Sequence, residues 1–170
     1  MAFIITASST AIPQPKKTAK VNMDIQIDNQ QTKQPIGIEA LQRKARAILN
    51  ALDCPDGELS ILIVDDDRIA ELNRTYLKHT GPTNVISFPM REGDFREINP
   101  HVLGDVVISA DTCAREAEKA GMLSQERLDQ LLVHGILHLF GYDHVRSASE
   151  ARTMEAKSKD LLALLKNLEL

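Results

Sequence analysis

The feature that most constrains this chain is the stretch His134-Gly135-Ile136-Leu137-His138-Leu139-Phe140-Gly141-Tyr142-Asp143-His144, which gathers three of the five histidines into eleven residues. Leu128, Leu131, Leu132, Val133, Ile136, Leu137, Leu139 and Phe140 make the segment apolar almost all round. That pattern predicts a buried helix from about Ser124 to Phe140. Residues four apart on a helix share a face, with Cβ atoms about 6 Å apart. His134 and His138 can therefore reach one ion at about 2.0–2.1 Å each. Gly141 accepts the positive φ that ends a helix, and His144 can then return as a third ligand. Stacked imidazoles in an apolar helix need polar partners, and protonating both would bury two like charges. A shared metal ion resolves both problems, although any one of these histidines alone reads equally well as an ordinary core or surface residue.

Three nitrogen ligands leave a fourth position open, the arrangement of catalytic zinc sites and not of structural ones. The expectation is one zinc per chain, held by His134, His138 and His144. Asp143, beside a ligand, can orient an imidazole or handle a proton, and it reads equally as a solvated turn residue. The spacing HxxxHxxGxxH resembles the metzincin protease signature, in which a Glu after the first His is the general base. Here that position is Gly135. Glycine takes no proton, so peptide hydrolysis by that route is closed. A mid-helix glycine also costs about 1 kcal/mol against alanine. Gly135 falls on the stripe of Leu128, Leu132 and Leu139, which predicts tight backbone packing there.

Along the rest of the chain, Asp24 to Asp28 alternates like a short strand. A helix is expected from Ile38 to Leu52, and Pro55-Asp56-Gly57 turns the chain. The apolar run Leu59 to Val64 reads as a strand covered on both faces. The acids at 65–67 can cap a helix with Ile69, Leu72 and Tyr76 on its buried side, broken by Gly81-Pro82. Strands follow at Val85–Phe88 and Leu103–Ser109. A helix from Asp111 to Ala120 ends at Gly121, and a last one runs from Ala148 to Lys166 behind Ser147 and Glu150 in capping-box register. The fold class is α/β (α+β): a single small domain with one sheet of about four strands packed with helices, the His-bearing helix lining an active-site groove.

The chain divides into residues 1–22, read as a disordered leader or an over-long start with Met23 as the true one, and a single hydrolase domain over 23–170. The leader holds Lys16, Lys17 and Lys20 and no acid, so the domain is more acidic than the net charge of −4 indicates. An acidic body argues against broad phosphate-driven binding of nucleic acid but leaves room for a local basic cleft. Aromatics make up only 4% with no Trp, so base-stacking platforms are not evident. Cys54 and Cys113 sit in unrelated surroundings and read as reduced thiols, which favours the cytoplasm. No segment has the length and apolarity of a membrane span, and no basic residue precedes the mildly apolar start as a secretory signal would require.

HGILHLFGYDH, with PTNVISFP at 82–89 and LGDVVIS at 103–109, strongly resembles the YbeY family of bacterial ribosomal-RNA maturation endoribonucleases over about residues 59–165. The resemblance implies that the three histidines bind zinc. It also implies a single-strand-specific endoribonuclease acting in 16S rRNA 3′-end maturation and ribosome quality control, with RNA and the small ribosomal subunit or its proteins as partners. Thr83, Asn84 and Ser87 match the family's second motif, which implies substrate binding at the groove; read locally, Thr and Asn beside Pro82 often just satisfy a turn. One position departs. The family usually carries an arginine after the tyrosine matching Tyr76, and here Leu77 stands there, followed by Lys78 and His79. Lys78 can supply the charge, though not arginine's flat fork. Arg74, Arg91, Arg96 and Arg146 are further candidate phosphate contacts. Two other readings stand beside this one: a different metal hydrolase of amidase or peptidase type, and a zinc-stabilised ribosome-assembly factor without significant turnover.

Overall fold

Period-two alternation in the strands sets which side chains each face of the sheet buries. The computed structural model describes the backbone of Phe3–Ile4 and residues 25–91 and 100–168. Apart from Phe3 and Ile4, the expected leader lies outside the described residues. The strands are β1 (Phe3–Ile4), β2 (Ile25–Asn29), β3 (Glu58–Val64), β4 (Val85–Pro89) and β5 (Val102–Ser109). They form one sheet in the order β1-β4-β5-β3-β2. β2, β3 and β5 run parallel, β4 is antiparallel to β5, and the two-residue β1 pairs parallel with β4. The four longer strands are those expected from sequence.

Helices α1 (Ile38–Ala51), α3 (Ala110–Ala120), α4 (Ser124–Leu139) and α5 (Ala148–Asn167) belong with one face of the sheet, and the short α2 (Asp66–Leu72) covers the other. On the first face Ile25, Ile61, Ile63, Val106 and Ile108 meet Leu41, Ile48, Leu132, Ile136 and Leu161. On the second, Val64, Ile86 and Val107 meet Ile69 and Leu72. Because β3 and β5 are covered on both faces, their sequences are apolar runs and not simple alternations.

Local chemistry explains the element ends. The Ser109 hydroxyl accepts the Thr112 N–H at 3.1 Å to start α3, and Gly121 ends it with φ +66°. α2 stops earlier than Gly81-Pro82 would require: it passes at Leu72 into a π-helical turn over Asn73–Leu77, which Lys78 terminates in the left-handed region at φ 60°. β5 carries one extra residue against β3, since Glu58 pairs with Val102 and Leu59 with Gly104. Glycine is required at that bulge. Its φ is +135°, and a Cβ there would lie 2.1 Å from the Phe88 carbonyl oxygen.

One ion pair joins α1 to α4. Lys44 Nζ meets Asp129 Oδ2 at 2.7 Å with both side chains largely buried, and Gln125 donates to the other Asp129 oxygen at 2.9 Å. Removing one partner leaves a buried charge unmatched. Lys44→Ala is expected to destabilise the protein by about 3–5 kcal/mol, read as a fall in the urea midpoint. Lys44→Met combined with Asp129→Leu should recover most of that loss.

Candidate metal centre

Helix α4 reaches the sheet at a glycine. A Cβ on Gly135 would lie 2.6 Å from Val106 Cγ1 and 3.2 Å from Val85 Cγ2, so only a residue without a side chain allows this approach. The close packing expected on the Gly135 stripe is therefore present. The buried Ser87 hydroxyl donates to the Gly135 carbonyl at 2.8 Å, tying the helix to β4. This contact sits between the two histidines that α4 carries.

His134, His138 and His144 come together, each offering a ring nitrogen within 4.8 Å of the others. Gly141, at φ +85°, reverses the chain after the helix and brings the Tyr142 carbonyl under His138. His138 Nδ1–H donates to that carbonyl at 2.8 Å. The bond leaves Nε2 of His138 as an acceptor, and His134 Nε2–H donates to it at 2.9 Å. Two nitrogens bound tetrahedrally at about 2.0–2.1 Å would stand about 3.3 Å apart, so the pair needs to open only slightly to hold an ion. His144 Nδ1 is buried with no hydrogen-bond partner. An orphaned buried nitrogen beside two converging imidazoles fits a metal site, and an all-nitrogen donor set suits zinc.

Electrostatics favour the ligating state. Burial, and then the proximity of His138 and His144, push the His134 imidazole from the ordinary 6.5 down to about 3. Burial lowers His138 as well, partly opposed by its bond to the Tyr142 carbonyl. Both rings are neutral at pH 7, so no imidazolium has to be deprotonated before a metal binds.

The other residues singled out in the sequence are more dispersed. The Asp143 carboxylate accepts the Val145 N–H at 2.9 Å and pairs with Arg146 at 3.2 Å. The Val145 amide, opposed by burial and assisted by Arg146, holds it below the usual carboxylate range. Asn84 is buried; its side-chain oxygen accepts the Val85 N–H at 2.8 Å and its amide donates to Glu116. Arg127 of α4 grips the same Glu116 at 2.8 Å. Thr83, too, is buried. Lys78 is exposed, with its ammonium donating to the Thr75 carbonyl at 2.8 Å. Leu77 and Tyr76 pack against the core under α2, and Tyr76 meets Phe88 edge-on at 5.3 Å. Arg74 and Lys78 are exposed in this region. Arg91 lies over the Phe140 ring at 5.4 Å and donates to Cys54 Sγ at 3.2 Å. Arg96 lies outside the described residues.

A family model described as Endoribonuclease YbeY matches residues 26–166. The chain belongs to the endoribonuclease YbeY family. A family relative from Geobacter sulfurreducens is 56% identical over 85% of this chain and 97% of its own length. One from Syntrophotalea carbinolica is 51% identical, covering 84% and 95%, and one from Aquifex aeolicus is 40% identical, covering 78% and 87%. A solution structure from Thermotoga maritima shares the fold with a TM-score of 0.60 and 26% identity, over 83% of this chain and 88% of that one. Two features of the YbeY-family site escaped the sequence reading. The Tyr142 carbonyl is backbone and carries no residue signature. The bond from Ser87 to Gly135 joins strand and helix 48 positions apart.

Because the folded pKa values of His134 and His138 lie below the unfolded 6.5, the unfolded chain takes up protons first as pH falls. Stability present above pH 6.5 is lost below it, by at most about 1.4 kcal/mol per histidine per pH unit. Denaturant midpoints of metal-free protein should thus fall between pH 7.5 and pH 5, and His134→Gln should flatten the dependence. Gly135→Glu is expected to fold poorly and to gain no peptidase activity, because it forces a charge against Val106 and Val85. A stable, zinc-loaded and peptide-cleaving variant would contradict this packing.

Proposed function

We propose that this chain is a zinc-dependent, single-strand-specific endoribonuclease that acts in 16S rRNA 3′-end maturation and ribosome quality control, in the cytoplasm and at the small ribosomal subunit. The observation that carries the reading is the converging trio of His134, His138 and His144 on a chain whose family is that of an endoribonuclease. The working unit is residues 23–170, with 1–22 an accessory leader. Among the described residues no helix is long and apolar enough to cross a membrane.

His134, His138 and His144 would hold the zinc, which when bound supplies a Lewis-acidic centre for a phosphodiester. The Tyr142 carbonyl keeps the His138 ring in the tautomer that presents Nε2. Lys78 spends one of its three donors on the Thr75 carbonyl, leaving two for a phosphate oxygen. Asp143, held ionised by Val145 and Arg146, would serve as a negative charge and hydrogen-bond acceptor beside His144, since a lowered pKa makes it a weak base. Ser87, Asn84 and Thr83, the residues matched to substrate binding, are buried and would act on the substrate by positioning. The first sets the height of α4 through Gly135, and Asn84 acts through Glu116 and Arg127.

The test is incubation with a single-stranded RNA oligonucleotide, with and without a chelator. Internal cleavage that chelation abolishes and zinc restores is expected, and His138→Ala should retain well under one zinc per chain by elemental analysis. Full zinc in that variant, or cleavage indifferent to chelation, would refute the assignment. Binding without cleavage would favour an assembly factor.

A further inference from the structure

The position of the histidines around α4 shows which way the metal centre opens. Asp129 faces α1 through Lys44, and α1 packs beside β2 at the far edge of the sheet. His134 lies five residues on from Asp129, about 140° round the helix, and His138 nine residues on, about 180°. Both therefore project from the flank of α4 opposite α1, toward β4. On the other face of β4 lie Phe88, Tyr76 packed against it at 5.3 Å, and the turn that presents Lys78. One route for a strand of RNA between the histidines and Lys78 crosses the outer edge of β4.

That edge is occupied. Phe3 pairs with Ile86 and Ile4 with Ser87, and Ser87 is the residue whose hydroxyl holds Gly135. A strand of two residues contributes little pairing energy of its own, which favours a pairing that opens and closes. Its occupant shares one chain with the site, which raises the effective concentration. We propose that the outer edge of β4 is a strand-docking site for the chain's own amino-terminal residues Phe3 and Ile4, and that docking there obstructs access to the metal centre. The consequence for RNA rests on the function proposed above; the docking does not.

The experiment compares the zinc-loaded full chain with a variant starting at Met23 and with Ile4→Pro, which keeps the leader but removes a strand donor. Three readouts are taken: hydrogen exchange at β4, the rate of zinc extraction by EDTA, and the affinity of a labelled single-stranded oligonucleotide. Both variants should exchange β4 amides faster and lose zinc to EDTA faster. If the leader is docked about two-thirds of the time, either change should tighten oligonucleotide binding about threefold. Faster exchange and extraction in a protein that binds no RNA would leave the docking intact and refute the RNA reading. Equal exchange and extraction rates in all three proteins would overturn the docking.

Discussion

The seating of α4 on the sheet at Gly135 is the contact on which the rest of the site depends. Protein interiors are close-packed, so a helix cannot be raised by a methyl group without voids opening along its length. With Val106 Cγ1 only 2.6 Å from where a Cβ would sit, the height of α4 is fixed at that residue. The hydroxyl of Ser87 then fixes its position along β4. His134 and His138 flank this point by one and three residues, so their rings inherit the precision of a backbone contact. A side-chain contact further away would leave rotamer freedom between anchor and ligand.

The buried polar groups extend that rigidity around α4. Asp129 is clamped from α1 by Lys44 on one flank. On the other, Arg127 and Asn84 share Glu116, joining α4, the start of β4 and α3. Such pairs add little net stability, because desolvation consumes most of their Coulomb attraction. Their geometric effect is larger. A helix held by ionic partners on both sides cannot roll, and rolling is the motion that would separate the two histidines from His144.

Much of this was legible in the sequence because it rests on period and spacing. The four longer strands and the long helices follow from apolar runs, and the convergence of His134, His138 and His144 from two histidines one helical turn apart with a glycine-ended return. The close approach at Gly135 could be read because glycine mid-helix is costly and calls for a reason. What escaped depends on distant pairing. Nothing near Leu72 announces the π-helical turn, which carries Tyr76 and Leu77 against the second core. The hydrogen bonds of Asn84 and Ser87 likewise appear only when β4 lies against α3 and α4. Leu77 shows the same limit. The family resemblance implies an arginine there, whereas packing shows an apolar side chain in the second core with Lys78 exposed beside it.

A site built this way bears its electrostatic cost before any metal arrives. Folding strips water from His134 and His138 and drives their pKa values down, while Tyr142 selects the tautomer of His138. In a flexible cluster the metal would have to expel protons, choose tautomers and order side chains, and each step would subtract from affinity. Here those terms are charged to folding, where the apolar surface buried between α4 and the sheet can offset them. The two Nε2 atoms at 2.9 Å share one hydrogen bond in that arrangement, and a bound cation would replace it and supply the orphaned His144 nitrogen with a partner.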